Sequence, residues 1–216
     1  MTPFASLAGI PIQMGTMNVP GYGVWHADVW LTNDTPDVTT LTTLTLGDIT
    51  APCAVIRDID VANQRGVRVV GGFGGWRKGV LAEQYAAPSG LMVSTVLLDT
   101  AASVGETVVV DVDTPLGAQW LRAEGPASDV LHQLAPGAWF VGFDGVTHTL
   151  RTPGVVASLF QVLKSDQPAG QFTITTDFPS QWLPGSSFAG PVASGTVSRI
   201  MHRITAGAFV TEVQVV

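Results

Sequence analysis

Polar and apolar residues alternate through most of this chain, and very little of the polarity is charge. Only 27 of the 216 residues are Asp, Glu, Lys or Arg, 12 % of the chain, against roughly 25 % in an ordinary soluble domain. No apolar run reaches the ~18 residues that a bilayer-spanning helix requires, so no membrane partner is expected. The remaining polarity is mostly Thr, Ser, Gly and Gln, which can be buried at modest cost when hydrogen-bonded. A charge-poor chain of this kind is expected to cover much of its surface with other protein, as a subunit of a larger assembly.

Other sequence-wide properties exclude function classes. A hydrophobic content of 46 % excludes general disorder. The formal charge of −7 argues against a nucleic-acid surface, which needs clustered Lys and Arg; the longest basic cluster is Arg77–Lys78. The lone Cys53 allows no intrachain disulfide. Residues 1–22 lack the basic start of a signal peptide and are broken by Pro3, Gly9 and Pro11. They read as an extended arm docked on a neighbouring subunit.

Most of the chain has strand periodicity. Trp25, Ala27, Val29 and Leu31 alternate with His26, Asp28 and Trp30, and residues 39–46 are Thr/Leu-rich. Ala54–Val61 and Val67–Gly71 flank Asn63–Gly66 as a hairpin. The glycines at 71, 72, 74 and 75 predict a tightly bent backbone with a large ring over it. Val93, Val96, Leu97, Ala101 and Val104 then recur at helical spacing, with Ser94 as a cap and Gly105 as a stop. A strand is predicted at Thr107–Val112, a short helix at Pro126–Leu134 and a hairpin at Asp144-Gly145. From Thr152 onward all is β, closing in a hairpin over Thr196–Val216. The fold class is mainly β, with barrel-like sheets and a small α+β middle. The parts are an arm at 1–22, β-rich ends at 23–88 and 153–216, and a middle at 89–152. The pattern fits either two barrels or one interrupted barrel.

Catalytic chemistry finds little support. His26/Asp28, Asp58/Asp60 and Asp111/Asp113 each alternate on a strand face, as a hydrogen-bonded or solvated face does. Gly185–Ala189 misses the G-x-S-x-G nucleophile motif at its last position. His132, His148 and His202 share no ligand spacing. No catalytic, cofactor or metal residue is therefore assigned. The surface residues expected to make contacts are Phe4, Ile10, Ile12, Trp30 and Trp76.

GVWHADVWL (23–31), RGVRVVGGFGGWRKGV (65–80), LMVSTVLLDTAASVGE (91–106) and DGVTHTL (144–150) resemble pieces of phage tail baseplate-hub proteins. GTVSRIMHRITAGAFVTEVQV (195–215) is similar to the closing hairpin of their β-domains. The resemblance implies β-barrel domains like those of tail-tube subunits with a smaller α/β insertion. It further implies three copies in a ring that joins the tail tube to the central spike and to other baseplate proteins. The place of action would be the virion, after assembly in the bacterial cytoplasm, with no enzymatic activity. This chain is shorter than the larger hubs and carries no peptidoglycan-cleaving domain. A carbohydrate- or receptor-binding β module, with Trp30, Trp120 and Trp182 as stacking platforms, is the competing reading.

Overall fold

The computed structural model describes residues 4–32, 38–61, 64–157, 159–190 and 194–216. Its first part is β1 (Ala5–Leu7), β2 (Ile10–Pro11), β3 (Met14–Val19), β4 (His26–Thr32), β5 (Leu41–Leu46), β6 (Ile49–Val61) and β7 (Gln64–Gly71). The middle holds β8 (Gly79–Val80), β9 (Glu83–Met92), α1 (Val93–Val104), β10 (Val108–Val109), β11 (Pro115–Arg122) and β12 (Gly125–Pro126). It continues through α2 (Ser128–Leu134), β13 (Phe140–Val141) and β14 (Thr147–His148). The last part is β15 (Phe160–Asp166), β16 (Gln171–Thr176), β17 (Ser187–Ala189), β18 (Ser194–Thr205) and β19 (Ala208–Val215).

One curled antiparallel sheet of 12 strands dominates, in the order β15-β16-β19-β18-β3-β4-β7-β6-β5-β1-β2, with β17 on β18. Both β-rich ends thus share a single sheet. The seam between them is β3, which pairs with β18 from Val19↔Ile200 to Met14↔Thr205 and with β4 on its other side. Trp25, Ala27, Val29 and Leu31 are buried, as their alternation requires. Facing strands add Met17, Val67, Val69, Ile200, Ile204 and Val213 to the same core. Full burial of one such side chain contributes ~1.5–3 kcal/mol, so this face fixes the register.

The expected arm is not an arm over its described residues; residues 1–3 lie outside them. Ala8 and Gly9 take positive φ of 54° and 79°, closing a two-residue hairpin turn between β1 and β2. The glycine read as a breaker is therefore turn chemistry. Pro11 sits in β2 at the end of the sheet order, where a missing N–H costs least. Leu7, Ile12, Met17 and Val19 are buried in the chain's own core.

Elsewhere the boundaries move. The β6–β7 pairing continues to Val61↔Gln64, with residues 62–63 outside the described set. The strand at 107–112 shrinks to β10, and Pro126 lies in β12 ahead of α2. A two-stranded ribbon, β9 with β11, has no counterpart in the sequence pattern. Pro88-Ser89-Gly90 and Gly117 interrupt its alternation, and most of its residues are exposed. The helix α1 buries the expected Val93, Val96, Leu97, Ala101 and Val104 and ends at left-handed Gly105. Ser94 is not its cap. The Asp113 carboxylate is, accepting the Ser94 N–H at 2.9 Å and its hydroxyl at 2.7 Å.

Candidate functional site

The bend at residues 71–76 is where the large sheet meets the helix-bearing middle. A Cβ on Gly71 would lie 2.3 Å from the indole of Trp25, so the ring packed on the glycines is Trp25. Trp76 is buried and donates its indole N–H to the Thr147 hydroxyl at 2.7 Å. The bend closes around Glu106, whose carboxylate accepts the backbone N–H groups of Phe73, Gly75 and Trp76. A Cβ on Gly75 would come within 2.5 Å of the Val104 carbonyl and 2.7 Å of Glu106 Cγ. Burial pushes the Glu106 carboxyl above its ordinary pKa, while these amides pull it back. The N–H groups of Phe73, Gly75 and Trp76 thus form a nest that fastens one part of the molecule to the other through a carboxylate.

None of the carboxylate pairs works as a pair. Asp28 on β4 takes Arg68 on β7 at 2.5 and 2.8 Å, which holds its carboxyl below the usual range. Asp58 takes the fork of Arg65, with the same effect. Asp111 accepts the N–H groups of Thr149 and Leu150, whereas Asp113 caps α1. Burial lowers the His26 pKa. His132 packs edge-on to Trp139 at 5.3 Å, and His148 stacks on Phe140 at 5.2 Å. His202 is fully buried, with its pKa lowered to about 4 by desolvation. Burial raises the Cys53 thiol to about 12, leaving it unreactive. Among the described residues no group of three or more His, Cys, Asp and Glu is placed to hold a metal ion.

The five expected contact residues divide. Ile12 and Trp76 are buried in the chain's own core, 4 % and 2 % exposed, and are corrected as surface candidates; each fills a site made by its own sheet or bend. Phe4 stays exposed at 39 % and stacks on Phe209 at 4.9 Å. Ile10 and Trp30 are half-buried, and Trp30 lies flat over Gly66, where a Cβ would meet its ring at 2.9 Å. Trp182 is buried in a cluster with Phe160 and Phe188, so it is no stacking platform. Sequence reasoning missed the exposed apolar residues that matter more. Leu159 and Leu163 lie at the terminal strand β15 of the sheet, 93 % and 53 % exposed, while Leu81 and Leu121 stand exposed at the ribbon. The sequence pattern gave β structure from Thr152 onward but no signal for the place of this strand at an edge.

No protein-family pattern and no curated protein matches the sequence. Among the solved structures that match, three do so along almost the full length of this chain. The 43 kDa tail protein of prophage MuSo2 from Shewanella oneidensis superposes with a TM-score of 0.65 at 8 % identity, covering 98 % of this chain and 97 % of that one. The E. coli c3393 protein is a component of the type VI secretion system with structural similarity to the T4 bacteriophage tail proteins gp27 and gp5. It gives a TM-score of 0.66 at 9 % identity, with 97 % and 75 % covered. A tail protein from Neisseria meningitidis MC58 gives 0.63 at 10 % identity, with 98 % and 94 % covered. The chain shares its mainly β fold with these proteins.

Proposed function

We propose that the chain is a structural subunit of a bacteriophage tail. Within the tail it would be a baseplate hub subunit that joins the tube to the central spike and surrounding baseplate proteins. It acts as a homo-oligomer, a trimer, in the virion, after assembly in the host cytoplasm. The observation that carries this reading is the fold match over 97–98 % of the chain to proteins of tails and of a tail-like secretion system. The surface supports it. The terminal strand β15, with Leu163 exposed on it and Leu159 exposed just before it, offers a sheet edge and apolar area to another chain. The role is architectural: Asp28, Asp58, Asp111 and Asp113 each hold an arginine or a backbone amide.

Two measurements test the proposal. Mass spectrometry and imaging of purified tail particles should find the chain at the junction of tube and spike in threefold copy number. Light scattering on the isolated chain should show self-association that rises with concentration. A protein absent from particles and monomeric at every concentration would refute it. A carbohydrate-binding module would instead bind a glycan array through Trp30 or Trp120, the remaining candidates once Trp182 is buried.

A further inference from the structure

Arg151 differs from the other arginines that leave solvent. Arg65 and Arg122 are buried, and each meets carboxylates: Asp58 for the first, Glu83 and Asp99 for the second. Arg151 is half-buried and has no carboxylate within salt-bridge distance among the described residues. Its Nε is buried without a hydrogen-bond partner. The side chain is nevertheless held firmly. Its guanidinium carbon lies 3.8 Å from the Phe140 ring centroid. Its stem runs over Gly185, where a Cβ would stand 3.3 Å from Arg151 Cδ. Loss of solvent depresses its pKa to about 10, and among the described residues no carboxylate pairs with it. An uncompensated buried charge is costly; here it is fixed in one orientation, as a receptor is.

A pocket of about 280 Å³ opens beside it, lined also by Phe140, His148, Asp111, Leu183 and Ser186. Asp111 is already engaged by the Thr149 and Leu150 amides and lies 3.6 Å from His148 Nδ1. Ser186, from the Gly-Ser segment that only mimics a nucleophile motif, contributes a buried hydroxyl. One guanidinium and one hydroxyl donor serve a single negative charge, and the Asp111 carboxylate on the rim disfavours a second. A phosphate dianion would meet Asp111 with only one cation to balance it. Arginine's planar fork matches a carboxylate with two parallel hydrogen bonds.

We propose that Arg151 is the receptor for one aspartate or glutamate side chain of a neighbouring protein chain, inserted into this pocket in the assembled particle. The proposal rests on the reading of the chain as an assembly subunit, but its first test does not. Acetate stands in for the side chain in a titration of the ¹⁵N-labelled full chain, followed at the Arg151 Nε–H resonance. With sodium acetate a saturable shift is expected at this resonance and at the Ser186 backbone amide beside it, absent with sodium chloride at the same ionic strength, and the Ser186 shift is lost in Arg151→Gln. No saturable shift, or one of equal strength with phosphate, overturns the carboxylate site. In the particle, Arg151→Glu and Arg151→Gln, each with an unchanged circular-dichroism spectrum, should both fail to incorporate. Normal incorporation of either variant overturns the inserted partner side chain, even where acetate binds. A chain absent from wild-type tails would refute the assembly reading and leave the acetate result standing.

Discussion

The large sheet and the helix-bearing middle differ in how much of their acidity is met by arginines. Residues 79–150 hold eight acidic side chains, at 83, 99, 106, 111, 113, 124, 129 and 144, against Arg122 as their one base, a formal −7. The rest of the chain carries nine acidic and nine basic residues. On the sheet, charges meet charges across strands: Asp28 with Arg68, Asp58 with Arg65, and Glu212 with Arg203. In the middle, Arg122 takes Glu83 and Asp99, and four other carboxylates meet backbone. Glu106, Asp111, Asp113 and Asp144 accept main-chain N–H groups of residues 73–76, 149–150, 94 and 146. The physical reason is the length of the elements. A long ladder satisfies its own amides, so side chains are free to pair with each other. Two-residue strands and a bare helix start leave donors unpaired, and short acidic side chains supply the acceptors. The acidity of this protein is thus local and structural.

The largest expected effect bears on the sheet as one unit. Deleting residues 2–16 removes buried Leu7 and Ile12 and half of β3, the seam between the two ends. Removal of Phe209–Val216 takes out β19, which lies between β16 and β18. Each truncation should yield insoluble protein without a cooperative thermal transition. A soluble product with an unchanged melting temperature would break the picture of a single sheet.

In the middle, Glu106→Ala leaves buried amides of the glycine bend without an acceptor. At ~1–3 kcal/mol per unsatisfied group, it should cost about 3 kcal/mol or more in urea denaturation, and Glu106→Gln less. A loss under ~1 kcal/mol would mean that the bend holds without its carboxylate.

Acid should separate the two regions. His202 in the sheet stays neutral down to about pH 4, whereas in the unfolded chain it protonates near 6.5. Stability therefore falls as pH drops from 6.5 towards 4, by an amount on the order of 3 kcal/mol. The raised Glu106 has the opposite sign: its contribution is fully present below its unfolded pKa of 4.5 and is lost as pH rises through the folded value. Melting temperatures between pH 7 and 4 should fall for the wild type and less for His202→Phe. Equal slopes would remove His202 as the cause.

Smaller effects complete the contrast. Asp113→Ala, which uncaps α1, should cost about 1 kcal/mol. Arg68→Ala on the exposed sheet face should change stability by ~0–1 kcal/mol. A reversed order would contradict the view that carboxylates matter most where they serve backbone.

Legibility followed the same division. The alternation at 25–31, the helix at 93–104 with its glycine stop and the Asp144-Gly145 turn were readable because each is set by neighbours a few residues apart. Ala8-Gly9 was misread, since a glycine that breaks one element and a glycine that turns a hairpin look alike until the partner strand is known. The ribbon β9–β11 was invisible because its strands are largely solvated and broken by Pro88, Gly90 and Gly117. By itself the sequence determined the fold class, the main strand faces and the poverty of charge, all properties of local pattern and composition. Only the tertiary structure decided that both ends close into one sheet through β3. It alone placed Glu106 in the glycine bend and left Arg151 without a carboxylate partner among the described residues, because these depend on how segments distant in sequence pack together, which no local period encodes.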